Sequence, residues 1–257
     1  MITMNWTEKQ MMAVALARQI ENGKSYIIGT GLPLIGATLA KSTTAPKARL
    51  IFETAIFEGN PEELPTSVSD LRVHYRAAAL LPQYRYFGIQ AIYAKRGEID
   101  AGFLGGAQID PYGNLNSTCI GDYHYPHTRF TGSGGANGIS TYCDTIIVMK
   151  HEKRRFIHKV DYVTSPGWID GPEGRAKVGL PPDKGPRAVI TELGIMRFDT
   201  QSKRIYLAEY YPGVSVAQIL RNTGFDLNVT RAVQSEAPSD EILDILTHKI
   251  DPSRLMT

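Results

Sequence analysis

Residues 26–40 read YIIGTGLPLIGATLA, and this stretch decides the fold class. Its first three residues form an apolar run typical of a buried strand, and glycines at positions 29 and 31 end that run. Pro33 then begins a helix, because its fixed φ suits the first helical turn and its missing N–H costs nothing there. A strand that passes through a glycine turn into a helix is the repeating unit of α/β proteins.

The alternation of strand and helix patterns continues along the chain. Near its start, Thr7 and Gln10 form a capping-box pattern that begins a helix extending to Ile20. We expect an α/β fold with an open, mixed and largely parallel sheet that is flanked by helices. The further predicted elements are strands at 50–52, 101–109 and 145–149, a hairpin of 188–198 with 204–210, and helices at 89–96, 214–222 and 240–250.

The composition is that of a globular protein. Of the 257 residues, 42% are hydrophobic and 21% are charged. A chain of this size can bury about 73% of the surface of the unfolded chain on folding. Because no repeat or linker interrupts the pattern, we predict a single domain over residues 1–257. A formal net charge of +2 disfavours a nucleic-acid groove or a basic membrane-binding face.

The cysteines and the apolar segments bear on the cellular compartment. The two cysteines, Cys119 and Cys143, do not have the spacing of a metal site, and so few cysteines are typical of a reducing compartment. The chain begins without a basic-then-apolar leader, and no run approaches 18 apolar residues. We therefore expect a soluble, cytoplasmic protein that binds no metal, no nucleic acid and no membrane.

The turn at 29–34 has two interpretations. It resembles a dinucleotide-binding fingerprint, and Glu53 follows Gly31 by 22 residues, as a ribose-binding acid would. Leu34, however, occupies the place of the third glycine, which that fingerprint uses for close packing. A tight turn before a helix is the favoured interpretation, and a P-loop is excluded because the chain has no GxxxxGK[ST] sequence.

Glu53 is the strongest single candidate for a catalytic residue. It follows the apolar run 50–52, and ligands of open α/β sheets bind at the carboxyl ends of strands. Desolvation and nearby backbone donors could tune such a carboxylate for covalent chemistry. Glu58, five residues further on, is a competing acid. The residues alone thus indicate an α/β enzyme for a small molecule, with an acid at a strand end.

A second candidate is residues 132–138, GSGGANG, which we call the glycine loop. Its backbone N–H groups could approach an oxyanion or a phosphate, and a flexible surface loop explains the same composition equally well. Within it, Ser133 lacks the context of a hydrolase nucleophile. His124 and His127 are favoured as ordinary loop histidines over metal ligands. The basic stretch 150–159 is either a solvated face or a contact for the phosphates of a large cofactor.

Eight segments carry a family pattern that extends over almost the whole chain. They are GTGLPLIGA at 29–37, GGAQIDPYGN at 105–114, GDYH at 121–124, TRFTGSGGANG at 128–138, HEKRRF at 151–156, DYVTSPGWIDGP at 161–172, YPG at 211–213 and NTGFD at 222–226. Together they resemble the B subunits of class I CoA-transferases, and among these the glutaconate type.

The resemblance implies a CoA-transferase-type α/β fold and a ping-pong reaction. A glutamate at a strand end carries the family's covalent glutamyl-CoA thioester, and Glu53 corresponds to it by position. CoA passes through it from an acyl-CoA to a short carboxylic acid such as glutaconate. The segment with Gly134, Gly135 and Ala136 corresponds to the one that approaches the thioester and CoA. The other oxyanion or CoA-binding residues that the resemblance implies are Gly105, Gly106, Gln108 and Asn114.

The resemblance also implies a partner. CoA is expected as a substrate and not as a tightly bound cofactor, and the active site is expected between this chain and a homologous A subunit. One residue departs from the family pattern: Ala55 stands where the family has glycine two positions after the glutamate. This departure leaves open an acyl-CoA hydrolase or a C–C bond-cleaving or decarboxylating enzyme. A non-catalytic partner subunit is a separate alternative, and the presence of Glu53 and the glycine loop disfavours it.

Overall fold

The computed structural model describes residues 5–52, 56–59, 61, 63–67, 70–81 and 92–254. The chain divides into two compact units, of which the first comprises residues 1–103 with 237–257 and the second comprises residues 104–236. Each unit combines strands with helices. The single domain expected from the sequence stays a prediction.

The first unit contains a mixed sheet. Its strands are β1 (Ser25–Ile28), β2 (Arg49–Phe52), β3 (Ile56–Phe57), β4 (Ala79–Leu80) and β5 (Ala101–Leu104), in the order β5-β1-β2-β3-β4. β1 runs parallel to β2 and β5, whereas β3 and β4 continue the sheet in antiparallel fashion. Ile28 pairs with Phe52, so that β1 and β2 end side by side. The glycine turn at 29–31 therefore leaves the sheet at the edge where β2 also ends.

Two helices pack together in the first unit. In α1 (Glu8–Ala17), the Gln10 N–H donates to the Thr7 hydroxyl (3.1 Å) and the Thr7 N–H donates to the Gln10 side chain (2.9 Å), which confirms the capping box. The helix ends before Ile20, because the last amides of the apolar pattern donate to carbonyls three residues back instead of four. α2 (Leu32–Ser42) begins one residue before Pro33, which lies in its first turn as predicted.

The remaining helical segments of the first unit agree in part with the sequence patterns. Residues 92–95 are helical, whereas the start of the helix predicted over 89–96 lies outside the described residues. The predicted C-terminal helix is an α-helix over Asp240–Asp244 that continues as a π-helix over Ile245–Ile250. The buried side chains of Leu246 and Ile250 explain the apolar pattern there.

The second unit contains nine strands and three helices among the residues described. The strands are β6 (Gln108–Ile109), β7 (Leu115–Asn116), β8 (Cys119–Gly121), β9 (Pro126–Arg129), β10 (Asp144–Val148), β11 (Pro186–Ile190), β12 (Gly194–Phe198), β13 (Ile205–Tyr210) and β14 (Val233–Gln234). The helices are α3 (Ala136–Tyr142), α4 (Gly174–Lys177) and α5 (Val216–Arg221). β10 and β11 are parallel, β11, β12 and β13 form an antiparallel meander, and β14 is parallel to β13. β6 pairs with β7 and β8 with β9 as small antiparallel ribbons.

Two sequence predictions need correction. The strand predicted over 101–109 is two strands, β5 and β6, because Gly105 and Gly106 interrupt an otherwise apolar run. Likewise, the segment 188–198 is not one arm of a hairpin but two strands. The chain reverses between β11 and β12, where the Thr191 N–H donates to the Gly194 carbonyl (3.0 Å). The mixed α/β sheet with flanking helices is confirmed.

In the part of the chain that the structure describes, no helix is both long and apolar enough to cross a bilayer. Cys119 and Cys143 are both buried, and each is a thiol and not half of a disulfide.

Candidate functional site

In the second unit, residues 132–135 of the glycine loop connect β9 to α3, and residues 136–138 form the first turn of that helix. Gly132 (φ +90°) and Gly134 (φ +49°) have left-handed backbone conformations that side chains with a Cβ rarely adopt. The loop closes through a tight turn in which the Ala136 N–H donates to the Ser133 carbonyl (2.8 Å). These conformations explain why glycine recurs in this segment.

The loop presents backbone donors to its surroundings. Gly134 is exposed and Gly135 is half-buried. Their two N–H groups donate to no acceptor among the residues that the structure describes. Adjacent backbone N–H groups without an internal acceptor are suited to an oxyanion. The loop therefore presents two adjacent backbone N–H groups that a bound anion could accept from.

Side-chain hydrogen bonds anchor the loop at both ends. At its start, the Ser117 hydroxyl donates to the Gly132 carbonyl (3.1 Å), and the Gly132 N–H donates back to the Ser117 carbonyl (3.0 Å). At its end, the Asn137 amide donates to the Thr164 carbonyl (3.0 Å). The Thr164 hydroxyl in turn accepts from the Ser117 N–H (2.9 Å), which joins the two anchors.

Gln108 belongs to the same hydrogen-bond network. It is buried, and its carbonyl oxygen accepts from the Asn116 amide (2.6 Å) while its own amide donates to Asp161 (3.0 Å). Asn116 accepts from the Thr118 N–H (2.9 Å), and the Thr118 hydroxyl is bonded to that of Thr164 (2.7 Å). A continuous chain of hydrogen bonds thus connects Gln108 with the anchor of the glycine loop.

Asn114 lies in a second, separate network. Its amide donates to Asp110 (2.8 Å), and its carbonyl oxygen accepts from the N–H groups of Gly167 (2.8 Å) and Ile169 (3.2 Å). Burial raises the pKa of the Asp110 carboxyl, against the hydrogen bonds that Asn114 donates to it. Through these bonds, Asn114 fixes the turn at 110–114 against the segment 167–169.

Gly105 and Gly106 lie in the connection between β5 and β6. Gly105 is exposed, and a Cβ at this position would meet only the Val148 carbonyl oxygen, at 3.5 Å. The Gly106 carbonyl accepts a hydrogen bond from Arg155 (3.3 Å). Among the residues described, no hydrogen bond joins these two glycines to the glycine loop.

Glu53, the proposed nucleophile, lies outside the described residues, as does Ala55. It directly follows Phe52, the last residue of β2, in the sequence. Its role therefore stays a prediction.

The other candidates from the sequence, the two loop histidines and the basic stretch, do not form a shared site among the described residues. His124 and His127 are exposed on the β8–β9 ribbon, and no cluster of three or more potential metal ligands occurs in the described part of the chain. The basic stretch 150–159 contains a turn and a single β-bridge to β6, and its exposed basic residues agree with a solvated face: Lys150, Lys153, Arg154, His158 and Lys159. One of its two histidines, His151, is buried and stacks on the Phe156 ring (centroids 4.1 Å apart).

The sequence is similar to those of known proteins over most of its length. Residues 9–222 match the family model of the coenzyme A transferases. The chain is 53% identical to the B subunit of glutaconate CoA-transferase from Acidaminococcus fermentans, over 97% of this chain and 94% of that protein. It is 36% identical to the B subunit of 3-oxoadipate CoA-transferase from Pseudomonas knackmussii, over 92% of this chain and 90% of the relative.

One solved structure is similar to this chain over nearly its whole length. The crystal structure of glutaconate CoA-transferase from Acidaminococcus fermentans superimposes with a TM-score of 0.94, covering 98% of this chain and 97% of that one. The fold predicted from the sequence motifs is thereby confirmed. The family model and the identity to both relatives extend over most of the chain, so this protein belongs to the coenzyme A transferase family.

Proposed function

We propose that this chain is the B subunit of a heteromeric CoA-transferase that acts on glutaconate or a similar short dicarboxylate. The observation that carries the proposal is its 53% identity, over 97% of its length, to the B subunit of a glutaconate CoA-transferase. The 3-oxoadipate enzyme, whose B subunit is also similar, is named for another dicarboxylic acid. A two-carboxylate substrate is therefore the common chemistry.

The proposed reaction proceeds through Glu53. Its carboxylate attacks the thioester carbonyl of the acyl-CoA donor, and the C–S bond breaks to give an acyl-glutamyl anhydride and the CoA thiolate. The thiolate then attacks the glutamyl carbonyl, which forms a glutamyl-CoA thioester and releases the donor acid. The acceptor carboxylate reverses both steps, so that the kinetics are ping-pong.

The glycine loop supplies the electrostatic part of this mechanism. Each tetrahedral step develops an oxyanion, which preorganised N–H donors stabilise. We assign the N–H groups of Gly134 and Gly135 as the donors, because they have no acceptor among the residues described. The Ala136 N–H, which belongs to the same segment, donates instead to the Ser133 carbonyl (2.8 Å). The anchors at both ends of the loop support this role, since they fix the donors before the substrate binds.

The other implied residues divide into two kinds. Gly105 and Gly106 lack side chains, which permits a close approach of CoA to the backbone there. Gln108 and Asn114 are buried and hydrogen-bonded within the protein, so we assign them the task of holding the loops that contact CoA. Binding energy from the long CoA molecule then helps the complex to reach the anhydride.

The proposal includes a homologous A subunit, with the active site between the two chains. It rests on the two relatives, each of which is the B subunit of its CoA-transferase. CoA acts as a substrate, without a tightly bound cofactor, and we place the complex in the cytoplasm.

The test uses this chain purified together with its A subunit. The complex is incubated with glutaconyl-CoA in the absence of an acceptor acid, and its peptides are mapped by mass. We expect a CoA adduct on the peptide that contains Glu53. Consumption of the donor without an adduct would contradict the covalent transfer mechanism.

Ala55, in place of the family glycine, favours a second candidate: an acyl-CoA hydrolase or a C–C bond-cleaving or decarboxylating enzyme. Free acid or carbon dioxide would then appear without any acceptor. Binding of acyl-CoA without turnover would instead indicate a non-catalytic partner subunit.

A further inference from the structure

We propose that Arg175 is a positioning residue that holds the glycine loop in place through α3. The inference rests on the proposed function only for the role of the loop in catalysis. Arg175 lies in none of the segments of the family pattern and is 1% exposed, so that it touches neither solvent nor any substrate directly. Its contacts determine what it does.

All five N–H groups of the guanidinium donate to backbone carbonyls. Their acceptors, with the donor-to-oxygen distances, are Pro181 (2.8 Å, from Nε), Gly167 (3.0 Å) and Pro166 (3.4 Å, both from Nη1), and Thr141 (2.8 Å) and Ser140 (3.1 Å, both from Nη2). The acceptors come from three separate segments of the second unit. One side chain therefore joins the last turn of α3 to the segments at 166–167 and 181.

The cation is held without a direct ion pair. In the described ranges, no carboxylate oxygen lies within 4 Å of its nitrogens. Burial lowers the pKa of Arg175 to about 10, so the group is still charged at neutral pH. A buried charge is costly unless its donors are satisfied, and here neutral carbonyls satisfy all of them. The carbonyls at the end of α3 also carry the negative end of the helix dipole, which favours a cation there.

α3 transmits this constraint to the glycine loop. It has seven residues, about 10 Å in length, and it begins directly after Gly134 and Gly135. Arg175 fixes the carbonyls near its end, while the bond from Asn137 to Thr164 fixes its first turn. A short helix held at both ends gives the loop donors a defined direction. A displacement of about 1 Å at such donors can cost on the order of 100-fold in rate.

The test is Arg175→Lys in the complete two-subunit complex. The ammonium keeps the charge but has three N–H donors, so it cannot satisfy five carbonyls in three directions. We expect kcat to fall about 30-fold, with less than a threefold change in KM for acyl-CoA, because oxyanion stabilisation is lost and CoA binding is kept. The matched control is Arg187→Lys on β11, which we expect to stay within twofold of wild type. A folded Arg175→Lys complex with kcat within threefold of wild type would overturn the proposal.

Hydrogen exchange provides a readout that does not depend on the reaction. We expect amides of residues 133–142 to exchange at least tenfold faster in Arg175→Lys than in Arg187→Lys. Unchanged exchange there would refute the positioning role, even if the wild-type complex proved inactive as a CoA-transferase. If Arg175→Lys does not fold, native-state exchange of wild type decides. The amides of residues 139–143 and 175–180 should then exchange through one common opening, with the same opening free energy and the same dependence on denaturant. Two separate openings would refute the connection that Arg175 makes between these segments.

Discussion

The side-chain amide of Asn137 donates a hydrogen bond to the Thr164 carbonyl across 3.0 Å and 27 positions of sequence. This bond connects the first turn of α3 to Thr164. The hydroxyl of Thr164 also accepts a hydrogen bond from the Ser117 N–H. The glycine loop is thus held both by its own residues and by residues distant in sequence, Ser117 and Thr164.

Removing the Asn137 amide should loosen the loop without unfolding the protein. A hydrogen bond of this kind contributes about 1 kcal/mol, so Asn137→Ala should lower kcat about fivefold and the free energy of unfolding by about 1 kcal/mol. Steady-state kinetics and urea unfolding measure both effects. The matched control is Asn222→Ala, which removes an amide-to-carbonyl bond of equal length at the end of α5. We expect the control to lose similar stability and to keep its kcat; equal kinetic losses in both variants would refute the anchor.

Glu53→Gln tests the proposed nucleophile. The amide is nearly isosteric but cannot form the anhydride, so we expect kcat to fall on the order of 10³-fold or more and the CoA adduct to disappear. Steady-state rates and peptide masses of the two-subunit complex measure the loss.

Glu58→Gln is the matched control for that experiment, because it removes the competing carboxylate five residues away. Its rate should stay within about threefold of wild type, since no step in the proposed reaction uses Glu58. A Glu53→Gln complex with a rate within tenfold of wild type would exclude covalent catalysis by Glu53.

Local signals in the sequence were sufficient for several elements. The capping box of Thr7 and Gln10 depends on residues three apart, and the proline at the start of α2 acts through its own ring. The break between β5 and β6 was missed, because apolar residues on both sides of Gly105 outweighed the two glycines in the pattern. Interactions between residues close in sequence thus predict where helices begin better than they predict where strands end.

The support of the candidate site could not be predicted in the same way. Thr164 meets Ser117 across 47 positions, and neither residue belongs to a pattern that indicates such a contact. Arg175 is a stronger case, because arginine is almost never fully buried and sequence reasoning places it at the surface. Its five acceptors are backbone carbonyls, which carry no sequence signal. The family motifs located the glycine loop, but only the three-dimensional contacts identify what holds it.

Gly36 should be essential for the packing of α1 against α2. A Cβ at this position would lie 2.5 Å from the Leu16 Cβ and 3.1 Å from the Ala13 carbonyl oxygen, so one helix must move to admit it. We expect Gly36→Ala to lower the free energy of unfolding by about 1–3 kcal/mol in urea titrations. Gly138→Ala is the control, since a Cβ there meets nothing within 4 Å and alanine favours a helix. Equal stability of the two variants would contradict the close packing.

His151 should make the protein sensitive to acid. Its Nε2 lies 2.9 Å from the Thr223 hydroxyl, which itself donates to the Ile219 carbonyl (2.9 Å), so the histidine is the donor in this contact. Burial lowers the pKa of His151 from 6.5 to about 4. Between these two values the unfolded chain binds a proton that the folded protein does not, and stability therefore falls as the pH falls.

The expected loss is about 2 kcal/mol between pH 7 and pH 5, and it should be absent from His151→Gln, which cannot titrate. Urea unfolding of both proteins at pH 7, 6 and 5 measures how the free energy of unfolding changes with pH. Subtracting one change from the other removes the contribution of the carboxyl groups, which are the same in both proteins. His124→Gln, a change at an exposed histidine, should follow the wild-type curve. Parallel curves for wild type and His151→Gln would mean that the folded protein admits a proton to His151. That proton would go to Nδ1, because Nε2 already carries the one that it donates to Thr223, and Nδ1 lies 3.3 Å from the Thr191 hydroxyl oxygen.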